Sequence, residues 1–322
     1  MLNQTLQGFN LYPKEKRAEK IGPEQLKDPV PPGAYQWIPF DLNDKNVPML
    51  LAGAGLEETV LSALLKKETR PRVLVNQDEM LVILRGLNLA QGEAPEDMVS
   101  LRMHVSGTRI ISCQKRLLQS VEDLKTNIDQ NIIPPTTGHL LTYLCERLTG
   151  RMSELMEDIE ECSFEMEEKS LDGATSSLEN DIHSQLRQVI QFKRYLVPQK
   201  EALLQLQNEK MSWLSSKQQL KIREVSDQLI RYLEMLDAAR EMAIVSQESL
   251  YHLQNKEMNK RMYLVSVMTA LFLPLGFFTG LLGVNLAGIP QAHDSRSFLM
   301  FVLLLVVIIL LQLWYFRKKG WF

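Results

Sequence analysis

Two uncharged stretches near the C-terminus limit what this chain can fold into. No Asp, Glu, Lys or Arg occurs from Met262 to Ala292, and none from Ser297 to Phe316. A helix needs about 20 predominantly apolar residues to cross the hydrocarbon of a bilayer. Two segments meet that requirement, 262–282 and 298–316. The second reads FLMFVLLLVVIILLQLWYF and is apolar on every side, whereas a helix on the surface of a soluble protein keeps a polar face. A chain carrying both segments is expected to be an integral membrane protein.

Cationic residues orient the spans. Lys256, Lys260 and Arg261 precede the first, and Arg317, Lys318 and Lys319 follow the second. The loop between them, 283–297, carries only Arg296, with Asp294 nearby. Excess Lys and Arg stay on the cytoplasmic side, so both termini are expected inside and the loop outside. The first residues, MLNQTLQGFNLYPKEKRAEK, lack the apolar core of a secretory signal. Three cysteines, Cys113, Cys145 and Cys162, form no paired motif and suit a reducing compartment.

The residues ahead of the membrane read as an α+β body. Residues 1–33 are polar and proline-rich and are expected as a loosely ordered lead-in. A cytoplasmic α/β domain over 34–130 follows, with AYQWIPFDLN as a strand, GLEETVLSALLKKE as a short helix and two apolar hairpins. Val99, Leu101, Met103 and Val105 alternate onto one face of the second hairpin, and Ser106-Gly107 supplies its turn. From 131 to 261 the pattern is that of a helical stalk, with breaks expected near SLDGATSS and Pro198. One helix is expected to place Leu141, Leu144, Leu148, Met152, Leu155, Ile159, Cys162 and Met166 on an apolar face. Its other side carries Glu154, Glu157, Asp158, Glu161, Glu165 and Glu168, candidates for gathering metal ions or simply a solvated face. A heptad seam from Ile222 to Leu253 needs partner helices. No break separates it from 262–282, so one long helix is expected to enter the membrane.

Several function classes are excluded by what the chain lacks. A net charge of −3 without a basic stripe argues against nucleic-acid binding. No nucleophile elbow, phosphate-binding glycine loop or paired zinc motif is present, so neither enzymatic chemistry nor ATP-driven pumping is expected. No cofactor is implied.

The first span has a second pattern within it. Asn259, Met262, Ser266, Thr269, Leu273, Gly276, Gly280 and Gly283 recur at steps of three and four and share one stripe, with Thr279 beside it. Small residues let membrane helices approach closely, and hydroxyl and amide groups suit a water-filled path better than lipid. The stripe serves either helix packing in a non-conducting scaffold or sensor, or the wall of a channel. Two spans cannot enclose a pore alone, so a channel requires a ring of copies.

The span ends in Gly283-Val284-Asn285. That tripeptide resembles the Gly-Met-Asn signature of the CorA metal-ion transporter family, whose members end in two membrane helices and a basic tail like WYFRKKGWF. The stretches FLPLGFFTGLLGVNLAGIP, KKETRPRV and KRYLVPQKEAL resemble its zinc-transporting ZntB branch. The resemblance implies a funnel-shaped homopentamer in the bacterial inner membrane, the first membrane helices lining the pore and the second surrounding them. It places a ring of Asn285 carbonyl oxygens at the outer mouth, with Gly283 backbone carbonyls beside them. Gly276 and Gly280 would keep the path wide, Ser266 and Thr269 would offer hydroxyls, and Met262 and Leu273 would form apolar constrictions. Apart from the resemblance, His293 and Asp294 in the outer loop are candidates for gathering cations or protons, or simply a solvated pair. The implied cargo is hydrated Zn2+, with Cd2+, Ni2+ and Co2+ admitted, in proton-coupled uptake. Valine in place of methionine sets Mg2+, the wider family's cargo, in second place. No Cys or His lies on the stripe, so zinc follows from the resemblance and not from ligand chemistry.

Overall fold

The structure, a computed structural model, describes residues 8–22, 25, 28–67, 69–172, 176–284 and 295–319. The chain divides into two compact units, Met1–Glu248 and Ser249–Phe322. The first is built on a seven-stranded sheet: β1 (Gly8–Tyr12), β2 (Arg17–Ile21), β3 (Tyr35–Asp41), β4 (Arg72–Asn76), β5 (Glu79–Gly86), β6 (Val99–Val105) and β7 (Arg109–Gln114). The order is β2-β1-β3-β7-β6-β5-β4. The β3–β7 pair is parallel, with Trp37 opposite Ile110, and the other pairs are antiparallel.

Side chains alternate across a strand, and here both sides of the sheet are covered. Met80, Val82 and Leu84 of β5 enter one core with Leu101, Met103 and Val105 of β6. Leu81 and Ile83 enter a second core with Ile38, Phe40, Ile111 and Leu64, under α1 (Val47–Ala52) and α2 (Glu58–Leu65). Double coverage explains why these strands read as nearly continuous apolar runs.

The first residues correct the expectation of a loose lead-in. They supply β1 and β2, with Phe9 stacked on Trp37 at 5.5 Å between ring centroids. The polar reading came from β2, whose Arg17, Glu19 and Lys20 lie on the sheet's edge. Charged side chains there discourage edge-to-edge pairing with other chains.

Six further helices follow: α3 (Gln119–Asp129), α4 (Thr137–Gly150), α5 (Ser153–Asp172), α6 (Ser176–Asn208), α7 (Ser216–Leu282) and α8 (Ser295–Lys318). Residues from α3 to α7, as far as Ala239, share the core of the sheet. The 34–130 domain and the 131–261 stalk are therefore not separate bodies: one compact unit runs to Glu248.

Three helical expectations change as well. The apolar face expected on one helix is split at Arg151-Met152 between α4 and α5. On α5 the buried seam is Met156, Ile159, Ser163, Met166 and Ser170, which leaves Cys162 exposed. Ser163 takes that place because its Oγ donates to Ile159 O at 2.7 Å and accepts from Gln185 Nε2 of α6 at 2.5 Å. Pro198 does not break α6. Its neighbours Phe192, Leu196, Leu203 and Leu206 are fully buried, and Gln199 bridges Arg85 N (2.6 Å) and Arg85 O (3.1 Å) on β5. A mid-helix proline costs about 3 kcal/mol, and burying one large apolar side chain returns about 1.5–3 kcal/mol, so four of them outweigh it.

Candidate ion-conducting site

α7 runs without interruption from Ser216 to Leu282 and includes Pro274. In its second-unit portion, cover from the rest of the chain is confined to one side. Val267 is buried and Ala270, Leu271, Pro274, Leu275 and Phe278 are half-buried. α8 shows the matching seam, with Phe301, Leu305, Ile308, Ile309 and Gln312 half-buried and Phe316 buried. Gln312 Nε2 donates to Ala270 O at 3.4 Å across it. Both seams repeat every three to four residues, as two packed helices require.

The stripe lies on the opposite side of α7. Asn259, Met262, Ser266, Thr269, Leu273, Gly276, Thr279, Gly280, Gly283 and Val284 are all exposed. Leu273 is 67% exposed on this face.

Each hydroxyl spends its hydrogen inside the helix. Ser266 Oγ donates to Met262 O at 2.9 Å and Thr269 Oγ1 to Val265 O at 2.9 Å. Thr279 Oγ1 contacts Leu275 O at 2.9 Å and Gly276 O at 3.1 Å. With the proton so engaged, the oxygen's lone pairs are what it presents outward. A hydrated cation turns its waters' hydrogens outward, so acceptors are the groups its shell needs.

The glycines differ among themselves. A methyl group on Gly276 or Gly280 would meet nothing within 4 Å, so these positions leave open space on the stripe. Gly283 closes the helix by donating its N–H to Thr279 O at 2.9 Å, and a Cβ there would sit 2.8 Å from the same oxygen. The end of α7 therefore needs glycine for steric reasons. Asn285, His293 and Asp294 lie outside the described residues.

The acidic face of α5 is spread out along the helix. Among the described residues no three His, Cys, Asp or Glu side chains gather to hold an ion. Glu154, Glu157, Asp158, Glu161 and Glu165 are exposed along α5. Glu165 pairs with Lys169 at 2.8 Å, and Glu157 accepts from Ser153 Oγ at 3.1 Å. Both contacts are those of a solvated helix face. Burial pushes the Cys113 and Cys145 thiols up to about 12, which keeps both protonated and inert. His104 is buried with Nε2 3.1 Å from Glu79 Oε2, and His183 and His252 are exposed.

Sequence reasoning passed over Gln312. Its signal was available: it is the one amide side chain in the apolar run 298–316.

A family model described as "CorA-like Mg2+ transporter protein" matches residues 32–318. The chain belongs to the CorA family. It is thus a membrane transporter of divalent cations and not an enzyme. Among its CorA relatives is the "Divalent cation transporter CmaX" of Pseudomonas aeruginosa, 36% identical over 284 residues and 86% of each chain. The "Zinc transport protein ZntB" of Photorhabdus laumondii is 29% identical over 279 residues, 87% of this chain and 85% of that one. The solved structure of full-length CmaX superposes with a TM-score of 0.83 at 32% identity, covering 98% of both chains. The sheet domain, the long helix and the two C-terminal apolar helices are therefore the CorA fold.

At the basic end of α8, Trp314 and Tyr315 are exposed, and Lys318 Nζ sits 5.2 Å from the Trp314 ring centroid.

Proposed function

We propose that five copies of this chain form a ring in the bacterial inner membrane, with α7 lining a pore and α8 outside it, and that the ring takes up Zn2+ coupled to protons. Cd2+, Ni2+ and Co2+ share the path. The observation that carries this reading is the position of the acceptor stripe. Ser266, Thr269 and the glycines occupy the face of α7 that α8 leaves uncovered, so copies arranged about an axis turn that face inward.

Transport by this geometry needs no tight ligand set. Asn285 would supply a ring of amide oxygens at the outer mouth, where acceptors hold the water shell of a divalent ion without stripping it. His293 and Asp294 would raise the local cation concentration. Gly276 and Gly280 leave room below for an ion that keeps its waters. Met262 and Leu273 would narrow the path where flux is gated. Both termini face the cytoplasm.

Zinc rests on the likeness to proteins named for zinc transport. A second reading, Mg2+, is favoured by one observation: the polar groups on the stripe are oxygens, without Cys or His, and oxygen ligands suit Mg2+ as well. Purified protein in liposomes, with a zinc-sensitive dye inside in one arm and a magnesium-sensitive dye in the other, separates the two. An imposed pH gradient that changes the zinc rate establishes coupling, and a rate indifferent to it removes coupling. Asn285→Ala is expected to abolish uptake while the oligomer still assembles. Unchanged flux in that variant refutes the pore mouth.

A further inference from the structure

In an α-helix each carbonyl accepts from the N–H four residues on. For Ala270 that residue is Pro274, which has no N–H. The carbonyl loses its regular partner in the middle of a membrane span, where water is not available to replace it. Gln312 Nε2 of α8 donates to this same oxygen at 3.4 Å. Gln312 is also the one amide in its apolar run, and its Oε1 is buried without a hydrogen-bond partner among the described residues. An amide is costly to hold in hydrocarbon, and the gap opposite it is one that an N–H donor fills.

We propose that Gln312 is a positioning residue for ion conduction: it closes the hydrogen-bond gap that Pro274 leaves at Ala270 and so ties α8 to the proline step of the pore helix, where the missing bond permits a bend. The inference rests on the reading of α7 as pore-lining. Thr269, beside Ala270, and Leu273, beside Pro274, both lie on the stripe, and Gly276, Gly280 and Gly283 lie beyond the proline. A change of angle at Pro274 therefore moves the outer half of the stripe relative to the inner half. With Gln312 engaged, the bend is held to the angle at which the amide reaches the carbonyl. Without it, Ala270 O has no donor from α8 and the angle is free to drift.

The test is a double-mutant cycle on the full-length protein in liposomes, reading entry of Zn2+, or of Mg2+ if that is the ion that moves. Gln312→Met removes the donor at similar length and volume. Pro274→Ala restores the N–H that Ala270 O lost, which makes the glutamine dispensable. An interhelical hydrogen bond in a membrane is worth a rate factor of about 3- to 15-fold, and Gln312→Met is expected to slow entry by that much in the parent. In the Pro274→Ala background the same exchange is expected to change the rate by less than about twofold, the scatter of independent sites. An equal effect in both backgrounds, or none in the parent, overturns the proposal.

Should Gln312→Met fail to assemble, Gln312→Glu tests the same donor. Its carboxylic acid donates an O–H when protonated and has no donor when ionised. Its rate relative to the parent at each pH should recover as the pH falls from 8 to 5.5, and a flat ratio overturns the proposal. The cycle is read in melting temperature too. Coupling there without coupling in flux overturns the conduction role alone, while the pore reading itself stands or falls with Asn285→Ala.

Discussion

Gly283→Ala tests how α7 ends. The glycine's N–H donates to Thr279 O at 2.9 Å, and an alanine Cβ at this position would stand 2.8 Å from that oxygen. Real Cβ atoms do not approach a backbone oxygen so closely, so the chain must open the hydrogen bond or rotate the end of the helix. Losing a net hydrogen bond costs about 1 kcal/mol, and overpacking with a backbone shift costs about 1–3 kcal/mol. If the working geometry of Gly283-Val284-Asn285 is disfavoured by that amount, its occupancy falls by about 5- to 150-fold. Gly280→Ala is the control, because nothing lies within 4 Å of its added methyl and the single chain accepts it unstrained. Alanine is even favoured over glycine in a helix by about 1 kcal/mol, so any slowing there reflects the ring and not the fold. The assay is the initial rate of metal entry into liposomes, with gel filtration in detergent to confirm the oligomer. Gly283→Ala is expected to lose at least about 5-fold in rate with the oligomer intact. A wild-type rate refutes the steric argument. Equal losses with dissociated oligomers would instead mean that the glycines pack helices.

Two further outcomes concern the first unit. Burial lowers the pKa of His104 and outweighs the opposing pull of Glu79, so the folded protein binds the proton less readily than the unfolded chain. Stability is therefore full above the unfolded value of about 6.5 and is lost as the pH falls through it toward the folded value. The melting temperature of the detergent-purified protein should drop between pH 7.5 and 5.5, and His104→Gln should flatten that slope. His139 is shifted in the same direction, so some slope remains in the variant, and a slope identical to the parent's refutes the assignment. Gly138→Ala should lower the melting temperature at every pH, because its Cβ would lie 2.6 Å from Trp213 O and 2.8 Å from Gln218 Nε2. The expected cost is about 1–3 kcal/mol, and an unchanged midpoint would show that the segment before α7 yields freely.

Much of the fold was legible because hydropathy and periodicity are local. The strands β3 to β7, the two apolar spans and the stripe on α7 are each written within a few consecutive turns or a single strand. The misreadings share one cause, which is that the deciding partner is remote in sequence. β1 and β2 read as a polar lead-in until β3 was there to pair with them. Pro198 read as a break until α6 was seen anchored to Arg85, 114 residues away. Cys162 read as core until Gln185 of α6 claimed Ser163 in its place.

The sequence by itself determined that the chain carries two segments long and apolar enough to cross a membrane, that the first ends in a tripeptide resembling a family signature, and which residues share the stripe. These follow from side-chain chemistry and from 3.6 residues per turn, which hold whatever the surroundings. Only the tertiary structure decided that α8 covers the face opposite the stripe and that Gln312 meets the carbonyl orphaned by Pro274. Helical spacing says which residues share a face, but the partner that packs against a helix is what distinguishes its open face from its covered one.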